Sequence, residues 1–239
     1  MAKPFFYIIP RTSSTSLTSY LRAHFGDNKV FVRKVVEDVF EDCPVTATTP
    51  TPSLLRLKAE LAQHSNYLAF VVMAPFGVHE FIDDELDLYV TLREPVDRCG
   101  SLIRFMRAKS DLNQINAMVA SFGDDLSGML RERSLICLRN EQTRMLGNVG
   151  DWVLTDAHFE NALSNLENFA SVLDFKDFGR HLPRIVSRYS TSPPVNYPWL
   201  NAAPKGVPFS GSQISQLSKV NEFDRQLYRT IAKETVYAS

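Results

Sequence analysis

Side chains that bind anions are concentrated in two short segments of the sequence. The first, Pro-Arg-Thr-Ser-Ser-Thr-Ser at residues 10–16, holds Arg11 and five consecutive hydroxyl residues. The second, at residues 93–101, begins with Arg93 and ends with Ser101. Guanidinium groups donate charge-assisted hydrogen bonds to phosphate and sulfate oxygens, and hydroxyl groups add further donors. The chemistry that these residue types favour is therefore the binding of a phosphate or sulfate ester.

The first segment lies between a predicted strand and a predicted helix. The apolar run Phe5–Ile9 is typical of a strand buried on both faces, and apolar residues recur at helical spacing over residues 17–25. A strand that turns directly into a helix directs free N–H groups and the positive end of the helix dipole at a ligand. We therefore predict an anion-binding loop with these ligands: Arg11, Thr12, Ser13, Ser14, Thr15 and Ser16.

Two alternatives remain for this segment. A Ser/Thr-rich N-cap on an ordinary helix would account for one or two of the hydroxyl groups. A nucleoside-triphosphate loop of the Walker type is disfavoured, because no Gly-Lys-Ser or Gly-Lys-Thr sequence follows the strand.

The second segment is placed in the same way. Leu86–Leu92 is a predicted strand, and Pro95 is suited to the first position of a helix that continues to about Lys109. Ligands of open α/β sheets bind at the carboxyl ends of the strands, where Arg93 would lie. Ser101 follows two helical turns later on the same face. The alternative is that Arg93 pairs with the neighbouring acidic residues Glu94 or Asp97 at a solvated helix start.

The remaining chain predicts an α/β fold. Strands and helices alternate through the first 110 residues, which favours a mainly parallel sheet between two helical layers, a P-loop-like α/β/α arrangement, with extra helices at the C-terminal end. We expect one domain over residues 1–239. Residues 111–148 read as helical and polar, Val172–Leu173 as a last short strand, and residues 190–211 as a proline-containing loop.

Composition excludes several classes of function. The 239 residues are 44% hydrophobic and 22% charged, with a net charge of −1, so no global field attracts nucleic acid. The sequence offers no signal peptide, no membrane-spanning run and no metal-ligand cluster. The three cysteines are far apart, which is typical of a reducing compartment. We expect a cytoplasmic protein without metal. The oligomeric state cannot be predicted.

The two segments together resemble the sulfotransferases that use 3′-phosphoadenosine 5′-phosphosulfate (PAPS), and most closely the carbohydrate sulfotransferases related to heparan sulfate 2-O-sulfotransferase. The family's first loop, Pro-Lys-Thr-x-Ser-Thr-Ser, matches residues 10–16 except for Arg11. Its second motif, Arg-x-Pro-x-x-Arg-x-x-Ser, matches residues 93–101 at every fixed position. Residues 140–146 (NEQTRML) and 221–228 (NEFDRQLY) are similar to two later elements of the family.

The resemblance implies a sulfuryl transferase and a role for each motif residue. Arg11 and the loop Thr12–Ser16 would bind the 5′-phosphosulfate, and Arg93 with Ser101 would bind the 3′-phosphate. Lys205 would close over the donor, where relatives carry a lid. The acceptor would be a carbohydrate or a small alcohol, and Arg144 is a candidate contact to an acidic one. The basic helix face of Arg180, Arg184 and Arg188 is better explained as a solvated surface.

The sequence departs from the family at two catalytic positions. Arg11 replaces a lysine that bridges the phosphate and the transferring group, and a guanidinium is a planar fork, not a point charge. The family's histidine base is absent from its usual place, and His79 lies five residues later. His79 is the first candidate for the base, with Glu80 and Glu37 as substitutes. Two alternatives remain: a PAPS-binding protein without catalytic activity, and a P-loop-like kinase.

Overall fold

Five parallel strands form the central sheet of the computed structural model, which describes residues 2–34, 52–63, 66–151, 153–190 and 208–234. The strand order is β2-β3-β1-β4-β5, and each neighbouring pair is parallel. The strands span Lys3–Tyr7 (β1), Val30–Lys34 (β2), Ala69–Met73 (β3), Leu86–Leu92 (β4) and Ser171–Asp174 (β5). This arrangement confirms the predicted α/β class with a mainly parallel sheet.

Helices cover the sheet, and further helices follow at the C-terminal end of the chain. They span Ser14–Phe25 (α1), Pro52–Leu61 (α2), Pro95–Ala108 (α3), Gln114–Ser121 (α4), Leu126–Arg131 (α5), Glu141–Leu146 (α6), Asp156–Leu166 (α7), Phe178–Val186 (α8), Gly211–Val220 (α9) and Glu222–Glu234 (α10). Short 3₁₀ helices at Asp27–Lys29, Val78–Phe81 and Arg133–Leu138 complete the described elements. No helix among the described residues is long and apolar enough to cross a membrane.

The apolar strands form the core because both faces of the sheet are covered. All five residues of β3 are buried, and so are the last four of β1. Their continuous apolar runs are the pattern of parallel strands that carry helices on both sides. The strands β1 and β4 are neighbours, with Tyr7 opposite Val90. The chain that follows β1 therefore lies beside the chain that follows β4.

The segment between α3 and α7 is less polar than the sequence pattern indicates. It forms four short helices, whose buried residues include Val119, Leu126, Met129 and Leu138. The first three of these helices, together with α3 and α9, enclose a second apolar cluster beside the main core, whereas Met145 and Leu146 of α6 pack in the main core. We expected a polar helical segment; it is helical, but the expected polarity was wrong. Each short helix has few apolar residues, and these residues are buried together.

Candidate anion-binding site

The loop between β1 and α1 has an unusual backbone at two positions. Arg11 and Ser13 have φ angles of 72° and 76°, in the left-handed region that side chains other than glycine seldom adopt. Thr12, between them, closes the turn on Ile9: its backbone N–H and its hydroxyl both donate to the Ile9 carbonyl, at 3.2 and 2.7 Å. The hydroxyl of Thr12 therefore holds the loop in shape, and in this structure it has no donor left for a ligand.

The other loop hydroxyls have different surroundings. Ser13 is the N-cap of α1 but makes no capping bond, and its buried Oγ has no hydrogen-bond partner. Ser14 is half-buried, Thr15 is exposed, and Ser16 is buried. The first-turn N–H groups of a helix have no partner within it, so a ligand can take them together with Ser13 Oγ. This helix start is suited to an anion.

Arg11 extends from the loop to helix α3. Its Nε donates to Oγ of Ser101 at 3.1 Å, and its guanidinium lies over the ring of Phe105, 4.8 Å from the centroid. The structure thus brings together Arg11 and Ser101, which the sequence assigns to different ends of the donor. In this structure the guanidinium of Arg11 reaches the second motif.

Arg93 is held at the end of β4 by its backbone and by its side chain. Gln142 accepts from the Arg93 N–H at 2.8 Å and donates to the Arg93 carbonyl at 3.0 Å. The side chain donates from Nη1 to the carbonyl of Arg11 at 3.2 Å and lies over the ring of Phe175, 4.2 Å from the centroid. Arg93 and Arg11 therefore meet at the carboxyl edge of neighbouring strands.

The acidic neighbours of Arg93 do not form the ion pair that the alternative interpretation requires. The carboxylate of Glu94 accepts the N–H of Asp97 at 2.7 Å and caps α3. None of the ion pairs of the described residues includes Arg11, Arg93 or Arg104. These three residues, called here the arginine cluster, repel one another electrostatically, and their charge compensation is incomplete.

Mutual repulsion within the arginine cluster appears in the pKa values. Burial lowers the pKa of Arg11 below its ordinary value, and the charge of Arg104 lowers it further. Burial also lowers the pKa of Arg93, with Asp97 opposing this effect and Arg11 and Arg104 adding to it. Arg11 and Arg93 remain cationic at neutral pH because the ordinary pKa of arginine is so high. An anion that enters this site would relieve the repulsion.

Arg98, the second arginine of the 93–101 segment, is a structural residue. It is fully buried, and its Nη2 donates to the carbonyl of Cys137 at 2.9 Å. Burial opposes its charge, whereas the neighbouring Glu141 and Asp224 support it. Arg98 therefore joins α3 to the segment before α6 and does not face a ligand.

Helix α10 fixes the residues that hold Arg93. Asp224 accepts the N–H groups of Gln142 at 3.1 Å and Thr143 at 2.7 Å, which caps the start of α6. Asn221 accepts the N–H of Asn140 at 2.8 Å, and Tyr228 donates to Asp174, beside Phe175, at 2.6 Å. The two late sequence elements, 140–146 and 221–228, therefore form one brace that ends at Arg93.

His79 contacts Tyr7 at the end of β1, and its tautomer follows from this partner. The hydroxyl of Tyr7 accepts the N–H groups of Gly77 and His79 at 3.1 and 3.2 Å, and lies 2.7 Å from Nδ1 of His79. With its acceptor capacity used, the hydroxyl donates to Nδ1, so neutral His79 carries its proton on Nε2. Burial lowers the pKa of His79 and favours this neutral form. The imidazole therefore offers a donor, and the base role stays a prediction.

Three other candidate residues are not part of this geometry. Arg144 is 4% exposed, and its guanidinium donates to the carbonyl of Asp151, so burial removes the surface on which an acceptor would bind. This burial argues against the acceptor contact expected for Arg144. Lys205 and Glu37 lie outside the described residues. Arg104 was missed from the sequence because it belongs to no motif; only its position one turn after Ser101 could have indicated it.

Comparisons with known proteins give structural likeness only. No protein-family model matches the chain, and no curated protein matches it. Among solved structures, a sulfotransferase from Alicyclobacillus acidocaldarius is similar over 94% of this chain and 92% of its own, with 12% identity and a TM-score of 0.48. Mouse sulfotransferase SULT7A1 in complex with PAP is similar over 91% of this chain and 62% of its own, with 14% identity and a TM-score of 0.37.

Proposed function

We propose that this protein is a PAPS-dependent sulfotransferase. The observation that carries the proposal is the convergence of the 10–16 and 93–101 segments: Arg11 bonds Ser101, and Arg93 bonds the Arg11 carbonyl. PAPS carries one phosphate on the ribose and a phosphosulfate at the 5′ position. It therefore suits a site that combines the start of α1, with the unpartnered Ser13 hydroxyl, and a separate group of arginines.

The reaction would need little covalent chemistry from the protein. The oxygen of an acceptor hydroxyl forms a bond to sulfur, and the bond from sulfur to the 5′-phosphate oxygen breaks with its electron pair on the phosphate. The acceptor proton leaves to a base or to water, and the products are a sulfate ester and adenosine 3′,5′-bisphosphate (PAP). By analogy with phosphoryl transfer, positioning and charge stabilisation supply most of the rate.

A second candidate function is donor binding without transfer. Two observations favour it. The Nε of Arg11 bonds Ser101 of α3, outside the 10–16 loop. The hydrogen bonds of Tyr7 leave neutral His79 with a proton, and so without a free lone pair, at Nε2. Both observations concern the transfer of the sulfuryl group, and neither weakens the binding of PAPS. The two functions therefore share the donor site and differ only in turnover.

An assay of PAPS turnover separates the two functions. The protein is incubated with PAPS labelled with sulfur-35 and a panel of hexoses, uronic-acid oligosaccharides and small alcohols, and labelled product and released PAP are measured. We expect PAP release that depends on one acceptor class and is lost in Arg93→Ala. Tight PAP binding with no turnover on the whole panel would support the binding protein instead.

A further inference from the structure

We propose, on the basis of the proposed function, that Arg11 and Arg104 join Arg93 and Ser101 around the 3′-phosphate of the donor, so that Arg11 serves this phosphate and not the transferring sulfuryl group. The sequence resemblance assigns Arg11 to the other end of the donor, and it assigns nothing to Arg104. The geometry of the arginine cluster points to the new assignment.

The position of Arg11 is fixed by several contacts that all lie on the 3′-phosphate side. Its Nε bonds Ser101 Oγ at 3.1 Å, its guanidinium stacks on Phe105 of α3, and its carbonyl accepts from Arg93. The bond to Ser101 uses only Nε. The two terminal nitrogens of the fork are left for phosphate oxygens beside the hydroxyl that the resemblance places at the 3′-phosphate.

Arg104 lies on the next turn of α3 after Ser101. Its charge lowers the pKa of both Arg11 and Arg93, as expected of a guanidinium group near theirs. Its Nη1 would lie 3.3 Å from a Cβ at Gly100, and the ring of Phe209 would lie 2.9 Å from that same Cβ. The absent side chain at Gly100 therefore lets Arg104 and Phe209 pack against the helix beside Ser101.

Charge explains why three arginines would converge on one group. A phosphate monoester carries close to two negative charges at neutral pH. The described residues include no acidic side chain in an ion pair with the arginine cluster. A dianion between the three guanidinium groups would offset their repulsion, whereas a nucleotide without the 3′-phosphate would leave it. The cluster should therefore select strongly for 3′-phosphorylated nucleotides.

Nucleotide titrations of single variants test this assignment. Kd is measured by calorimetry for PAP and for adenosine 5′-monophosphate, which lacks the 3′-phosphate, and the ratio of the two constants gives the selectivity. The variants are Arg11→Met, Arg104→Met and Arg93→Met. Arg107→Met is the matched control, since Arg107 lies on the same helix and bonds Gly123. Arg104→Lys tests for partial rescue, and thermal unfolding checks that each variant folds.

We expect Arg11→Met and Arg104→Met each to lower the selectivity by about tenfold or more, the effect of losing a hydrogen bond to a charged group. Arg107→Met should leave it within about twofold. If Arg11→Met weakens both nucleotides equally, or Arg104→Met behaves like Arg107→Met, the assignment is wrong. Failure of the proposed function would look different, because the wild-type protein itself would then show no preference for PAP.

Discussion

At the scale of single residues, the site is defined by what each polar atom already bonds. Thr12 has both of its donors on Ile9, Arg98 is buried on Cys137, and Arg144 is buried on Asp151. Groups that remain for a ligand include the Ser13 hydroxyl and the first-turn N–H groups of α1, together with the terminal nitrogens of Arg11, whose Nε alone bonds Ser101. A motif match alone does not separate these groups, because Thr12 and Arg98 match the family as well as Arg93 does.

His79→Gln tests the role of the imidazole. The glutamine amide keeps an N–H donor near the position of Nε2 but cannot take up a proton. Because the Tyr7 hydroxyl already fixes the proton of neutral His79 on Nε2, we expect turnover of PAPS within about tenfold of wild type, whereas losing a general base typically costs about 10²–10⁴-fold. Rates are compared at equal PAPS occupancy. A loss beyond about a hundredfold with normal PAP binding would establish His79 as the base.

Gly100→Ala tests the packing beside Ser101 without removing a charge. The added Cβ would lie 2.9 Å from the Phe209 ring and 3.3 Å from Arg104 Nη1, so one of them must move. We expect PAP binding to weaken by roughly three- to tenfold, since about 1 kcal/mol corresponds to fivefold. Calorimetric titration measures this. Gly211→Ala is the control, as nothing lies within 4 Å of a Cβ there, and equal effects in both variants would refute the packing role.

At the scale of elements, the site depends on helices that touch no ligand. The brace runs from Asp224 on α10 through Gln142 on α6 to the backbone of Arg93, and Tyr228 holds Asp174 next to Phe175. Asp224 and Tyr228 share one face of α10, and Asn221, which directly precedes the helix, lies three residues before Asp224. This spacing explains why the late sequence elements belong with the anion-binding segments.

Gln142→Ala should disturb Arg93 indirectly. The variant loses both hydrogen bonds to the Arg93 backbone and leaves two polar groups without partners at a buried position, which costs about 1–3 kcal/mol each. We expect a lower free energy of unfolding and PAP binding weakened by about tenfold, measured by denaturant unfolding and calorimetry. Gln213→Ala, which removes a glutamine that caps the exposed first turn of α9, is the control. Unchanged PAP affinity in Gln142→Ala would show that the brace is structural only.

At the scale of the whole molecule, the sheet order decides which segments can meet. Because β1 and β4 are neighbours, the loop that follows β1 lies beside the start of α3. The strand order itself is not predicted from the sequence. Apolar runs and helix-start signals predict the strands, the helix at Pro95 and the placing of Arg93 and Ser101 on one face. The apolar runs carry this information locally, so the pattern alone suffices.

The contacts within the site could not be predicted, because they depend on tertiary structure. The side chain of Arg11 contacts Ser101 and Phe105 of α3, and nothing in residues 10–16 indicates this direction. The burial of Arg144 depends on Asp151 and on packing around α6. The tautomer of His79 depends on Tyr7, which lies far away in the sequence. Arg104 is a candidate because its charge lowers the pKa of both Arg11 and Arg93, an effect of the tertiary structure.

Calorimetric titration of the wild-type protein with PAP, with ATP as the control and Arg93→Ala as the variant, tests the central claim most directly. We expect one PAP site, binding of ATP at least about a hundredfold weaker, and loss of about tenfold or more in PAP affinity for Arg93→Ala, because a charged hydrogen-bond partner of the 3′-phosphate is removed. Equal affinity for PAP and ATP, or no binding of PAP, would contradict the account and leave a general anion-binding loop on an α/β scaffold.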